Sequence, residues 1–450
     1  MKGGVHVGDG IPANDDRVEP GSDQVTGAVS GAPAAAPATA YYPGWKMVAV
    51  GIVCMMIPFG IPISVLPLVY NEAIKEFGWT MTQATFAFSL KQWTAAAMAL
   101  FVVAPFVQRF GLRALMMLSF LVTGLGMASF LLIHSLLSYN LVVLSLGLGQ
   151  AFTILGVQIL VSRWFSRRQG LAVGIALAGS SLGGSLFPLT YTWLISAMGW
   201  RAGMAVMSLS IWVVALPIYL LFARENPTAA DVAAEASAPN LTTEPDRAAP
   251  DSGPAFSEIV RRASFWCAAA GIAITSAVDG GLFQHTALYI ERDVGMSKAA
   301  AAGALSATFA LGVFSKIFAG WVFDRLSIRG VQAWWLMIAA AVMLAFSVQG
   351  AMTLAFFALV RGLAHGGLIA DNAILAKHAY GSRALTTVLA MYVFFYSVGG
   401  GLGPLILSAC YDHYHNYTVG FLLLTGLCLF ATALLFFVPS TYRRIARGAR

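Results

Sequence analysis

Six ionisable side chains stand inside long apolar runs: Lys91, Asp279, His285, Lys316, Arg361 and His365. A charge at the centre of a bilayer costs at least about 2.5 to 3.5 kcal/mol, so each one needs a reason. Three of them are strong cations and one is an acid. An uncompensated buried lysine sheds its proton and an uncompensated arginine stays costly, so the imbalance favours a cavity that draws in an anion. The substrate then supplies the missing counter-charge. On this reading Lys316, Arg361 and Lys91 are the expected substrate-binding residues, and Asp279, His285 and His365 are the expected carriers of a coupling proton. Blander readings compete: Lys91 snorkelling to the outer interface, Arg361 and Asp279 as an interhelical structural pair, and both histidines as satisfied packing residues.

The elements that must position these groups are membrane helices. Of 450 residues, 58% are hydrophobic and 10% charged, less than half the charge a soluble domain needs to coat itself. The apolar residues gather in about twelve runs, at 45–70, 82–106, 112–133, 138–161, 168–197, 202–222, 264–290, 298–322, 331–350, 352–376, 384–410 and 418–438. Each is long enough to cross a hydrocarbon core of about 30 Å at about 1.5 Å per residue. The runs are continuously apolar rather than alternating, which favours helices over a barrel. Along these helices Lys91 lies about 25 Å from Gln108, Lys316 about 12 Å inward from Asp324, and Arg361 about 13 Å from the outer end of its run. Asp279 is central in the seventh.

The net charge of +7 is not pooled on one face as nucleic-acid binding requires. It follows topology instead. Alternate connections hold Arg109, Arg113, Arg163, Arg167, Arg168, Arg261, Arg262, Arg325, Arg329, Lys377 and Arg383, and the other connections only Lys75, Arg201, Arg292 and Lys298. The positive-inside rule then puts both termini in the cytoplasm of a cell whose inner, plasma membrane holds the chain. Residues 1–44 read as a disordered cytoplasmic tail and not as a signal peptide. A Pro-rich linker at 223–262 separates bundles at 45–222 and 263–438, and 439–450 is a basic tail. The four cysteines match no metal spacing, and no phosphate loop supplies an ATPase. No cofactor, metal or enzyme activity is expected.

The two bundles repeat. Arg109 and Arg325 are 216 residues apart, as are Arg113 and Arg329, Gly183 and Gly399, Gly184 and Gly400, and Pro188 and Pro404. One offset across three helices implies duplication of a six-helix unit, with a substrate site where the halves meet near the midplane.

APFVQRFGLR at 104–113 and GWVFDRLSIR at 320–329 resemble the loop signature of the major facilitator superfamily. RWFSRRQGLAVGIALAGSSLGG at 163–184 resembles the monocarboxylate porter and oxalate/formate antiporter group, as do His285, the run GGGLGP at 399–404, and Tyr411 with Asp412. The resemblance implies an all-α fold of about twelve helices in two pseudo-symmetric bundles. It also implies an inner gate at Gln108, Arg109, Arg113, Asp324, Arg325, Arg329 and Arg163, with Gln108 replacing the acid of the pattern. Lys316 aligns with the cation that contacts the substrate carboxylate in that group. The acid that stands four residues before that cation in monocarboxylate members is Gly312 here, and the first-helix lysine of some members is replaced near Ile63.

The expected function is secondary active transport of a small organic anion, a monocarboxylate, by proton symport or anion exchange. The alternatives are an efflux transporter for amphipathic compounds and, from another class, a non-transporting sensor or scaffold. Cysteines introduced at Ser30 or Arg447 should resist labelling by an impermeant thiol reagent in intact cells. Robust labelling there would invert the topology.

Overall fold

The computed structural model describes residues 42–165, 169–237, 253–368, 370–381 and 383–438. Residues 1–41 of the expected N-terminal tail, the whole expected C-terminal tail, residues 238–252 of the expected linker, and Arg167 and Arg168 lie outside the described residues. Among those described, ten helical stretches are long and apolar enough to cross a membrane. One of them, Gln169–Phe222, holds two crossings, because Gly199 leaves helical geometry (φ 81°, ψ 165°) and turns the chain back. Met81–Phe101, diluted by Gln83, Lys91 and Gln92, adds another.

The crossings are α1 (44–77), α2 (81–110), α3 (112–132), α4 (136–164), α5 (169–198) and α6 (200–222), then α7 (263–292), α8 (298–326), α9 (328–347), α10 (351–380), α11 (385–414) and α12 (418–437). They form two pseudo-symmetric six-helix bundles, as expected. Boundaries differ from the expected runs by a few residues, where hydropathy fades before the helix ends. No strand occurs among the described residues.

Start signals are local. Thr80 Oγ1 accepts a hydrogen bond from the Gln83 N–H while Gln83 Oε1 accepts one from the Thr80 N–H, Ser135 and Ser138 make the same reciprocal pair at the start of α4, and Ser297 caps α8 by accepting the Ala300 N–H alone. Within α1 the chain widens at Met55–Phe59 around Pro58, which has no N–H to give to the ladder.

The 216-residue offset is visible in the packing. A Cβ on Gly183 would stand 2.3 Å from the Met56 carbonyl oxygen of α1, and one on Gly399 would stand 1.9 Å from the Ala273 carbonyl oxygen of α7. Both positions therefore let one helix lie directly on its neighbour. The turns repeat too. Gly111 (φ 84°) and Gly199 (φ 81°) have Ser327 (φ 55°) and His415 (φ 56°) as their counterparts, and these are the two non-glycine residues of positive φ among those described. Ser327 is held there by its Oγ, which lies 2.6 Å from His378 Nδ1. The first half meets this backbone demand with glycine and the second meets it with side chains that bear strain.

Gly111→Ala should therefore cost about 1 to 2 kcal/mol. At position 327 the ordinary helix ranking should invert, with Ser327→Gly close to neutral and Ser327→Ala clearly worse, because alanine keeps the strain and loses the bond. Thermal unfolding midpoints in detergent check both. Equal tolerance of alanine at 111 and 327 would show that these turns impose no φ constraint.

Candidate functional site

Asp279, four residues before Phe283 on α7, and Arg361, four residues before His365 on α10, each share one helix face with their partner. The two faces meet. Arg361 Nη2 lies 2.7 Å from Asp279 Oδ1 and donates a second bond, 3.2 Å, to the Asp279 carbonyl. His365 Nδ1 lies 3.0 Å from Asp279 Oδ2 and 3.2 Å from Oδ1. Facing a carboxylate that already binds a guanidinium, this nitrogen is the proton donor of the contact. Asp279 is 4% and Arg361 1% exposed, whereas the His365 side chain keeps 23%.

An aromatic wall holds the imidazole in place. Its ring stacks on Phe283 (6.0 Å between centroids, 11° between planes) and meets Phe309 of α8 edge-on at 5.7 Å. Phe309 in turn lies against Gly184 of α5, where a Cβ would come within 2.2 Å of its ring. His365 also fills the space beside Gly312, its Cδ2 standing 3.9 Å from where a Cβ would be. The space beside Gly312 is thus taken by a histidine from α10 that is bound to an acid from α7.

Lys316, one turn beyond Gly312 on the same face of α8, reaches across the interface between the halves. Its Nζ donates to Ser181 Oγ of α5 at 2.8 Å. The side chain is half-buried and has no carboxylate partner among the described residues.

The structure separates the other expected site residues. Arg361 is committed to Asp279 and closed off, although its Nε and Nη1 are buried without hydrogen-bond partners among the described residues. Lys91 does not snorkel. It is 0% exposed, because α4 and α11 pack over α2, and its Nζ has no hydrogen-bond partner among the described residues and lies 5.1 Å from the Phe88 ring centroid. His285 stands apart from the Asp279 cluster, its Nδ1 2.9 Å from the Tyr417 hydroxyl and its Nε2 3.0 Å from the Pro404 carbonyl oxygen. With both nitrogens satisfied by α11 and the start of α12, it has the geometry of a packing histidine.

At the loops of the repeated signature, Gln108, Arg109, Arg113, Arg325 and Arg329 are exposed. The Arg109 guanidinium lies 5.2 Å from the Phe110 ring and that of Arg325 4.3 Å from the Trp321 ring. The side chain of Asp324 lies outside the described residues. Arg163 is bound within its own half, to Asn226 at 3.2 Å and Glu225 at 3.7 Å.

Bonds between the halves gather on the side opposite these loops. Tyr70 donates to Gln284 (2.6 Å), Asn71 donates to Glu291 (2.5 Å) and accepts from Arg292 (2.8 Å), and Lys298 meets Glu72 at 2.5 Å. Asp412, at the end of α11, accepts the Met81 and Thr82 N–H groups at 2.8 and 2.9 Å, so it caps the start of α2 from the other half.

Sequence reasoning missed Ser181, Phe283, Phe309 and Asp371. Asp371, 2% exposed on α10, receives the Trp335 indole N–H at 2.9 Å, so Asp279 does not stand alone as a buried acid. Phe309 had a signal: it is the 216-residue counterpart of Trp93, which lies against Gly401 as Phe309 lies against Gly184.

Residues 48–352 match the model of the Major Facilitator Superfamily. The chain belongs to that superfamily. It is 25% identical over 338 residues to monocarboxylate transporter 13 of Bos taurus, covering 74% of each chain. It is 26% identical over 351 residues to the Rattus norvegicus protein of the same name, covering 75% of this chain and 76% of that one. An MFS-type efflux pump of Mycolicibacterium smegmatis is 26% identical over 250 residues, 54% of this chain and 53% of the pump. Among solved structures, a bacterial homologue of the human lysosomal transporter Spinster, inward-facing and unoccupied, superposes with a TM-score of 0.60 at 17% identity, covering 88% of this chain and 94% of that chain. That likeness shows the fold. This superfamily member is a multi-pass membrane transporter that resembles the monocarboxylate group.

Asp279→Asn should destabilise the protein by about 3 to 5 kcal/mol, because it leaves Arg361 buried beside a neutral amide. Adding Arg361→Met should recover much of that loss. A denaturation series of the two single variants and the double variant reads the coupling, and strict additivity would show that the pair is not a unit.

Proposed function

We propose that this transporter carries a small organic anion, a monocarboxylate, by alternating access of its two halves, with proton symport or anion exchange as the driving mode. The observation that carries this reading is the state of Lys316. Arg361 is neutralised by Asp279, whereas Lys316 holds only a neutral hydroxyl, stands at the interface of the halves, and keeps part of its surface open. A desolvated ammonium with no internal counter-ion is suited to an external one. The resemblance to monocarboxylate transporters supports the same substrate class.

Coupling falls to the Asp279–His365 contact. The imidazole has one nitrogen on a buried carboxylate and part of its surface exposed, so it can pass a proton between the open side and Asp279. Membrane placement follows the positive-inside rule, with the arginine-rich loops and both termini in the cytoplasm and the bonds around Asn71 and Asp412 facing outward. Those outward bonds are the ones an outward-open state has to break. A second reading, efflux of amphipathic compounds, draws on the mycobacterial relative and on the aromatic wall of Phe283 and Phe309.

Lys316→Gln in proteoliposomes should abolish carboxylate uptake while leaving the protein folded in the membrane. Uptake at wild-type rate and half-saturation would remove Lys316 as the substrate's counter-charge. His365→Gln, which leaves the Asp279–Arg361 pair in place, should end acid-driven accumulation yet preserve exchange of labelled for unlabelled substrate. Intact pH-driven accumulation would exclude His365 from coupling. Preferential transport of neutral amphipathic dyes over carboxylates by the wild type would favour the efflux reading.

A further inference from the structure

Ser181 lies in α5 between two serines that spend their hydroxyl protons locally. Ser180 Oγ donates to the Leu177 carbonyl and Ser185 Oγ to the Leu182 carbonyl, each at 2.8 Å. Ser181 differs. Its oxygen accepts the Lys316 N–H, and its own O–H makes no hydrogen bond within the described residues, although the residue is only 2% exposed. An ammonium has three N–H groups, of which Lys316 uses one here. Donors from opposite halves of the molecule therefore converge on one spot, both still able to give.

We propose that Ser181 and Lys316 form a two-donor clamp for a planar carboxylate, one oxygen taking the serine O–H and the other a lysine N–H, so that the bound anion bridges the two halves. This rests on the transport reading above and names the part of the site that selects a two-oxygen head group. A carboxylate can seat a separate oxygen on each donor, whereas a halide has a single centre that Lys316 alone can hold, so Ser181 sets selectivity between carboxylates and halides rather than anion binding as such.

Local packing keeps the clamp in register. Gly184, one turn from Ser181 on the face toward α8, receives Phe309, two turns from Lys316, so α5 and α8 are held together beside the site. The clamp also occurs once. Shifted by the 216-residue repeat, Ser181 becomes Ser397, whose hydroxyl donates to the Val393 carbonyl, and Lys316 becomes Leu100. The duplicated fold thus carries a single copy, consistent with one anion per cycle.

The test uses the purified full chain and a panel of acetate, pyruvate, butyrate and benzoate, with chloride as the spherical comparison, read by intrinsic tryptophan fluorescence. Ser181→Ala should weaken carboxylate binding about tenfold and leave chloride binding unchanged. Ser181→Thr, which keeps the hydroxyl, should restore the carboxylate preference, and the size-matched Ser181→Cys guards against a folding defect. Wild-type carboxylate affinity in Ser181→Ala, an equal loss for chloride and carboxylate, or failure of threonine to rescue would each overturn the clamp while leaving the transport reading intact. If the wild-type protein binds none of the four acids, the transport reading falls and the clamp with it.

Discussion

A carboxylate among membrane helices has to find its counter-charge within the protein, and most of the site's geometry follows from how Asp279 does so. It takes Arg361 on one oxygen and His365 on the other, both from one face of α10. That arrangement fixes α7 against α10, places the imidazole beside the space left by Gly312, and sets the stacking with Phe283 and Phe309. Breaking such a cluster is expensive in a medium without water to stand in. Because Asp279 uses up Arg361, Lys316 is left with a hydroxyl from the other half, and a charge with only a neutral partner is where an anion gains most.

Duplication supplied the scaffold and divergence supplied the chemistry. Both halves use the same close-packing glycines and the same turn positions, yet the ionisable cluster sits almost wholly in the second. The first half contributes surfaces and neutral donors such as Ser181 and the Gln92–Gln150 pair, joined at 2.8 Å. The second also carries the backbone strain at Ser327 and His415, where the first keeps glycine. A half released from strict backbone economy has room for residues chosen for function.

The fold was legible because each of its signals is cumulative: twenty apolar residues in a run, eleven basic residues on alternate connections, five pairs at one offset. The site was legible only in part. Asp279, Arg361, Lys316 and His365 announce themselves by being charged or titratable where lipid forbids it. Which of them meet depends on helix rotation, and a helix of 30 residues carries no outward mark of which face turns inward. For that reason Lys91 could be placed in depth but not in burial, His285 and His365 looked alike, and Arg361 was grouped with Lys316. Ser181 has no signal at all, since serines in α5 differ only in where their protons go. Asp371 was overlooked for lying near an end of its run, where acids are common.

On the side opposite the arginine-rich loops, Asp412 joins the halves by an asymmetric bond, a side chain on α11 against bare backbone amides on α2. Every non-proline residue has the same amide, so no ordinary substitution at 81 or 82 can delete the α2 half of the contact. Only position 412 can be tuned. Drift along the first turn of α2 is thus buffered, and selection on how readily that contact parts is channelled into one codon. Variation among descendants of this chain should accordingly run freely at the start of α2 and change transport kinetics in single steps at the end of α11.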